Sequence, residues 1–316
     1  MKNRRLLLLC VWLCIGSISL ANNLQSKKSD SQRERICLNT GWRFQKNDPE
    51  GVTERLDYAR LKPYLLPWAN DFIKTGKKYD RPAGNPGSTH PYAKTDFDDS
   101  SWRKLNLPHD WAIEGPFNID YEGSTGKLPY WGIAWYRRSF DLEADDAEKR
   151  IYLDIDGAMS YSSVWCNGNY VGGWPYGYAS YRLDLTPYVK AGKKNVLAIR
   201  LDNPDKSSRW YPGAGIYRNV WLVKTSSVHV AQWGTFVKNN KVSDKEAVMD
   251  MSVSLINHST DKIKAVVVND IYEADELGYP KGKVVASVRK NEVELFGETP
   301  VDLAFRFTVN TPKLWD

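Results

Sequence analysis

Between residues 150 and 171 the chain runs Arg150-Ile151-Tyr152-Leu153-Asp154-Ile155, then Asp156-Gly157-Ala158-Met159-Ser160, then Tyr161-Ser162-Ser163-Val164-Trp165-Cys166-Asn167-Gly168-Asn169-Tyr170-Val171. Ile151, Leu153 and Ile155 alternate with Tyr152 and Asp154, the period of two that marks a half-buried strand. Tyr161 to Cys166 is a second such run. Asn167-Gly168 closes it with residues that accept the positive φ angles of a tight hairpin turn, so Tyr170-Val171 returns antiparallel. Tyr181 to Leu185, Asn195 to Leu201 and Tyr217 to Val223 continue the series downstream, and Ile36 to Gln45 and Trp135 to Leu142 extend it upstream. Short strands at this spacing, with no helical periodicity between them, predict an antiparallel sandwich rather than a parallel βαβ sheet.

Other stretches punctuate this pattern. Residues 52–73 hold the one candidate helix, and Pro63 and Pro67 predict that it is short or broken. Residues 79–91 are rich in Gly, Pro, Asn and Ser and read as a surface loop, and Pro212 to Gly215 as a tight bend. Past Ser226 five further strand-like runs follow: Val228 to Val237, Ala247 to Asn257, Lys264 to Tyr272, Lys283 to Lys290 and Val301 to Val309. They resemble an immunoglobulin-type sandwich, one or two strands short of the usual seven. The predicted fold is all-β: a jelly-roll (galactose-binding-like) sandwich over residues 36–224, followed by an incomplete immunoglobulin-like sandwich over residues 226–316.

The amino terminus reads differently. Lys2, Arg4 and Arg5 precede an apolar run from Leu6 to Ile15, and Ser19-Leu20-Ala21 follows. A basic start, a short apolar core and a small-residue exit are the pattern of a secretory signal peptide. The run is too short for a membrane anchor, which needs about 20 apolar residues. Cleavage after Ala21 is expected, with residues 22–35 as a linker, a secreted or periplasmic protein, and no membrane attachment once the signal is gone. The formal net charge is +6, from 44 Lys and Arg against 38 Asp and Glu. Three of those cations leave with the signal, and the remainder is too small and too scattered for a nucleic-acid-binding stripe. Cys10 and Cys14 leave too, so Cys37 and Cys166 remain. Both are expected to be free and buried, with a bond between them left open. The four histidines show no metal-ligand spacing, and neither a metal nor a cofactor is expected.

Seven stretches then share one order. They are Leu38-Asn39-Thr40-Gly41-Trp42-Arg43-Phe44, Asp98-Asp99-Ser100-Ser101-Trp102, Leu107-Pro108-His109-Asp110-Trp111, Trp135-Tyr136-Arg137-Arg138-Ser139-Phe140, Val164-Trp165-Cys166-Asn167-Gly168, Tyr176-Gly177-Tyr178, and Arg209-Trp210-Tyr211-Pro212-Gly213-Ala214-Gly215-Ile216-Tyr217-Arg218. In that order they resemble the amino-terminal region of family two glycoside hydrolases, the group of β-galactosidases, β-glucuronidases and β-mannosidases, and most of all its exported β-galactosidase-like members. The resemblance implies a jelly-roll first domain and an immunoglobulin-like second one. It also implies a third, a (β/α)₈ barrel that carries both catalytic carboxylates. A barrel takes about 250 residues, so no catalytic residue is expected in this chain, which is expected to be inactive alone. Residues 40–102 are longer than the family's shortest versions.

Retaining glycosidases use two carboxyl groups about 5–5.5 Å apart. Asp110, Glu114, Asp120 and Glu122 form the densest acid cluster here, but the resemblance leaves Glu114, Asp120 and Glu122 as solvated loop acids. It places Asp110 on a loop that touches the nonreducing sugar, against a local turn-capping role. Arg209 falls where related enzymes often carry an acid. Its donor fork suits sugar hydroxyls or a carboxylate, which leaves galactose and a uronic acid both open, as well as a plain surface ion pair. Asn203 is the third substrate-binding candidate, through contact or by orienting its loop with the side-chain amide. The partner is thus a carbohydrate, a β-glycoside of galactoside type, with oligomerisation left open. Trp111, Trp131, Trp174 and Trp210 are candidates to line a cleft, whereas Trp42, Trp102, Trp135, Trp165 and Trp221 are expected in the core. The alternative to an accessory part of a retaining hydrolase is a stand-alone lectin-like exported protein. It would use Trp111 as a stacking platform.

Overall fold

The computed structural model describes residues 33–73, 75–207 and 213–314. The expected signal peptide, and Arg209 and Trp210 among the candidate site residues, lie outside them. Contacts divide the chain into two compact units, one of residues 34–224 and one that contains residues 225–314. The all-β expectation holds in both.

In the first unit, β1 (Glu34–Cys37), β10 (Val220–Thr225), β5 (Arg150–Ile155) and β8 (Tyr181–Asp184) form a four-stranded sheet in that order. The facing sheet has six strands. Its order is β3 (Arg103–Leu105), β2 (Trp42–Lys46), β4 (Gly132–Asp141), β9 (Lys194–Asn203), β6 (Ser162–Cys166) and β7 (Asn169–Trp174). The Asn167-Gly168 turn joins β6 to β7 as an antiparallel hairpin, with Cys166 opposite Asn169 and both turn residues at positive φ. One core fills the space between the sheets: Leu153, Leu183 and Leu222 from the first meet Tyr136, Val164 and Ile199 from the second. The sequence from Ile36 to Gln45 is two strands rather than one, broken at Gly41, where φ is +79°.

The six-stranded sheet is buried on its other face as well. Along β4, Ala134 and Tyr136 point into the sandwich, while Trp135 and Arg137 point away from it and are equally buried. What covers them is the long connection from β2 to β3. It contributes Leu56, Leu61, Leu65, Ala93 and Trp102 to a second core with Trp135, Trp165, Tyr170 and Ala198. The helix α1 (Tyr58–Leu65) lies in this connection. Asp57 caps it by accepting from the Arg60 N–H, Leu61 and Leu65 are its buried residues, and Pro63 sits inside it. It passes into a 3₁₀ segment, Leu66–Phe72, that opens on Pro67. The expected interruption by proline is thus a change of helix type with the chain continuing in a helical sense.

One ion pair holds this cover to the sheet. Arg200 on β9 is 3% exposed and stands opposite Trp135 on β4. Its Nε and Nη2 each donate to an Asp48 oxygen at 2.9 Å, and its Nη1 donates to the Leu56 carbonyl at 3.2 Å. The Trp135 indole N–H donates to the same carboxylate at 2.7 Å. His90 stacks on Trp135 with centroids 4.6 Å apart and brings Nε2 to 3.6 Å from Asp48. Burial alone would raise the Asp48 carboxyl. The contact from His90 and the bonds from Arg200 and Trp135 outweigh it and hold the group well below the usual carboxylate range. A second buried cation, Arg137, donates to Asp99 at 2.9 Å and to the Tyr92 carbonyl.

The second unit is simpler. One sheet has the order β11 (Val228–Val242), β12 (Glu246–Asn257) and β15 (Val301–Asn310), and the other pairs β13 (Ile263–Ala274) with β14 (Pro280–Leu295). Alternate residues such as Val253, Leu255, Ala265, Ile271, Leu295, Phe305 and Phe307 share one core, so the two sheets form a sandwich. Register between β12 and β15 runs unbroken from Glu246 opposite Asn310 to Leu255 opposite Val301.

Two expectations need correction here. Cys166 is buried and free, with its thiol pushed up to about 12 by burial, but Cys37 is free and exposed. Trp221 is half-buried rather than central, because its ring lies under the Arg35 guanidinium at 3.8 Å and its indole N–H reaches Asp156 at 2.9 Å.

Asp48→Asn removes the bidentate charge on buried Arg200 and leaves it only the carboxylate of Asp202, 3.3 Å from Nη1, so it is expected to lower the unfolding free energy by about 2–3 kcal/mol at pH 7. The folded-state carboxyl titrates below that of the unfolded chain, so this stabilisation is complete above about pH 4 and is lost as the pH falls further. Urea unfolding curves of the wild type and the variant should therefore converge towards pH 2. A gap that stays constant with pH would show that Asp48 is not the source of the effect.

Candidate functional site

Loops gather at one end of the first sandwich. The segment from Leu107 to Gly115 leaves β3 and runs beside residues 213–216, with the His109 N–H donating to the Ile216 carbonyl at 2.9 Å and the Trp111 N–H to Ala214 at 2.8 Å. Met159 and Gly215 exchange both backbone hydrogen bonds, at 2.9 and 3.1 Å, which adds a third loop. The Tyr217 hydroxyl donates to the Gly177 carbonyl at 2.8 Å and ties in a fourth. Such close approach explains the glycine at 215. Its φ is +127°, and a Cβ there would lie 2.3 Å from the His109 carbonyl and 2.8 Å from the Tyr136 hydroxyl.

Asp110 sits where two of these loops meet. One carboxylate oxygen accepts from the Ala112 N–H and from the Ala214 N–H, both at 2.8 Å. The other faces Gly213, where a Cβ would come within 2.7 Å of it. The residue is half-buried. Burial raises its carboxyl above the ordinary Asp value, against the lowering effect of the two N–H donors. The result is a partly desolvated acceptor on a fixed backbone.

Asn203, at the end of β9, is completely buried. Its amide nitrogen donates to the Tyr130 carbonyl at 2.7 Å and to the Gly213 carbonyl at 3.0 Å, and its oxygen accepts from the Ser160 hydroxyl at 3.1 Å. The side chain is therefore a strut between three loops, and the Gly213 end of that strut is the stretch that meets Asp110. Arg209 falls in the segment the structure does not describe.

Next to Asp110 is a polar chain that sequence reasoning missed. His109 is buried, with Nδ1 2.7 Å from the Tyr136 hydroxyl and Nε2 3.0 Å from Glu114. Glu114 also takes both prongs of the Arg103 guanidinium, at 2.7 and 2.8 Å. Burial lowers the His109 pKa, and the Arg103 bonds lower that of Glu114. A neutral His109 that donates from Nε2 to the ionised Glu114 and accepts the Tyr136 proton at Nδ1 satisfies every group. Glu114 is exposed, as expected of a loop acid, and it also pairs with Arg103 and His109. The signal was local, a His and a Glu five residues apart, but only the fold brings Arg103 and Tyr136 to them. Asp120 and Glu122 are exposed.

The aromatic candidates separate in the same way. Trp111 is 2% exposed and packs beside Phe44, so it offers no face to a ligand. Trp131 and Trp174 are half-buried. Tyr176 and Tyr178, 5.5 Å apart, and Phe117 are exposed rings among the described residues. Among the described residues no group of three His, Cys, Asp or Glu side chains is placed to hold a metal, and no helix is long and apolar enough to cross a membrane.

Comparison with known proteins adds a family pattern and full-length relatives. Residues 101–226 match the pattern described as glycosyl hydrolases family 2, sugar binding domain. A β-galactosidase of Bacteroides ovatus is 42% identical over 227 residues, which cover 71% of this chain and 26% of that protein. A putative β-glucuronidase of Formosa agariphila is 35% identical over 226 residues, or 71% of this chain and 20% of that protein. Among solved structures, a glycosyl hydrolase family 2 member from Bacteroides cellulosilyticus superposes with a TM-score of 0.70 at 27% identity, over 89% of this chain and 31% of that one. The chain therefore spans about a fifth to a third of the length of these relatives.

Asn203→Ala would leave the Tyr130 and Gly213 carbonyls without their buried donor, while the Ser160 hydroxyl would keep the Asp202 carbonyl as its acceptor. The expected cost is about 2–4 kcal/mol in guanidinium unfolding. Ser160→Ala, which removes only one of the three bonds, should cost about 1 kcal/mol. Equal stability of Asn203→Ala and the wild type would rule out the strut.

Proposed function

Starting from a chain whose residues 101–226 are a sugar-binding domain of glycosyl hydrolases family 2, and which corresponds to the amino-terminal region of that family's members, we propose that it is the accessory amino-terminal part of an exported retaining hydrolase of β-galactosidase type. In this reading the chemistry belongs to two carboxyl groups elsewhere in the longer protein. This chain shapes the rim of the site and grips the nonreducing sugar.

The observation that carries the reading is the setting of Asp110. A carboxylate whose position is set by the Ala112 and Ala214 N–H groups costs little to organise when a ligand arrives. Its partial desolvation strengthens any bond it accepts from a sugar hydroxyl. Asn203 acts as a positioning residue that holds the Gly213 bend against Asp110. Arg209, which precedes Pro212 to Gly215 in the sequence, supplies donors to the same sugar in this reading. A galactoside is the ligand of choice because the relative that is 42% identical is named a β-galactosidase. The basic and apolar residues 2–21 support export. The lectin-like alternative loses its platform, since Trp111 is in the core.

Two measurements test this. The purified chain alone should give no turnover of aryl β-galactoside or aryl β-glucuronide; turnover that copurifies with the chain would refute the accessory role. In the longer enzyme carrying this region, Asp110→Ala should lower kcat/KM for the aryl galactoside about tenfold or more, the worth of a hydrogen bond to a charged group. An unchanged kcat/KM would remove Asp110 from the sugar contact.

A further inference from the structure

A second depression lies in the connection from β2 to β3 and shares no residue with the Asp110 loops. It is an open groove of about 880 Å³, with Thr53, Glu54, Arg60 and Tyr64 on one side and Gly84, Asn85, Ser88 and Thr89 on the other. That volume lies within the range of roughly 300–1,000 Å³ found for small-molecule sites.

Its walls are fixed by bonds to buried groups. Asn85 donates to the Gly168 carbonyl at 3.0 Å and accepts from the Tyr170 N–H at 2.7 Å. The Trp165 indole donates to the Pro86 carbonyl at 2.8 Å. Glu54 crosses between the walls, accepting from the Gly87 N–H at 2.9 Å and from the Thr89 hydroxyl at 2.6 Å. Tyr64 bonds the Ala83 carbonyl at 2.8 Å and sets its ring edge-on to Tyr170. The groove is therefore preorganised, although both walls are loop and helix rather than sheet.

The lining selects the chemistry of an occupant. It is polar, so it suits neither an aliphatic chain nor an apolar ring system. Each of its cations already has a carboxylate: Arg60 lies 3.4 Å from Glu54 in the groove, and Arg55 at the rim lies 2.9 Å from Asp57 just outside it. A polyanion would have to compete with both carboxylates for the two guanidinium groups, which disfavours phosphates and nucleic acid. Guanidinium N–H groups beyond the single contact to Glu54, the exposed Ser88 hydroxyl and one flat phenol ring remain to meet a ligand. Hydroxyl groups spread along a neutral chain, with C–H faces between them, match that set.

We propose that the groove between residues 53–64 and 84–89 is a second saccharide-binding site, which takes a neutral oligosaccharide and holds a polymeric substrate away from the Asp110 rim. The choice of ligand class rests on the lining and not on Asp110. Calorimetric titration of the whole chain with neutral β-linked galacto-, xylo- and gluco-hexaoses tests it, with oligogalacturonate as the acidic control. Saturable binding of at least one neutral hexaose is expected. Ser88→Trp, which fills the groove from an exposed position, should weaken it at least tenfold, and Arg60→Ala should weaken it as well. Both variants should keep the wild-type circular dichroism and melting temperature, and Asp110→Ala should still bind the hexaose saturably. No binding of any neutral hexaose, tighter binding of oligogalacturonate, or affinity unaffected by Ser88→Trp would overturn the proposal. Binding lost in Asp110→Ala and kept in Ser88→Trp would overturn it too, while supporting the rim contact.

Discussion

The pairing of Arg200 with Asp48 is the constraint on which the architecture of the first unit turns. A guanidinium in the middle of a sheet, 3% exposed, is tolerable only when its donors are met by a carboxylate and carbonyls. Asp48 and Leu56 meet them from the connection that covers the sheet, beside Asp202 on β9 itself, so the charge that the cover buries is also what ties the cover down. Once it is in place, Trp135 and Trp165 have an apolar setting on the face that would otherwise see water. The six-stranded sheet thereby becomes the middle layer of three.

This layering explains two features with one cause. Strands β6 and β9, and β4 from Ala134 to Arg137, are buried almost without interruption because both of their faces are covered. The bulky rings divide between the two sides by strand alternation: Tyr136, Val164 and Ile199 go to the sandwich, and Trp135, Trp165 and Ala198 to the cover. The abundance of tryptophan is thus first a packing requirement of two cores on one sheet.

The loop end around Asp110 follows a related logic of fixed backbone. Gly215 allows the 213–216 bend to approach His109, the buried Asn203 amide anchors the bend at Gly213, and Asp110 bridges it to its own loop. The His109, Glu114, Arg103 and Tyr136 chain stiffens the other side. An acid presented this way is a precise acceptor with little freedom of its own. The groove between residues 53–64 and 84–89 is preorganised by the same means, in the cover rather than at the rim.

Alternation of apolar side chains, the Asn167-Gly168 turn and the order of aromatic motifs were enough to read an all-β chain, its strands, and a family whose loops present Asp110, because these signals are local in sequence. The proline-broken helix was legible for the same reason. What the sequence left open are matters of which face and which partner. Trp111 is core rather than platform, the exposed Glu114 has His109 and Arg103 as partners, and Cys37 is exposed while Cys166 is not. Strand period assigns a residue to one of two faces but does not say what lies over each. Asp48 and Arg200 are 152 positions apart, and Arg103, Glu114 and Tyr136 come from three separate segments. Only packing the connection onto the sheet decides that these groups meet, since the free energy of a buried charge depends on neighbours that chain order does not name.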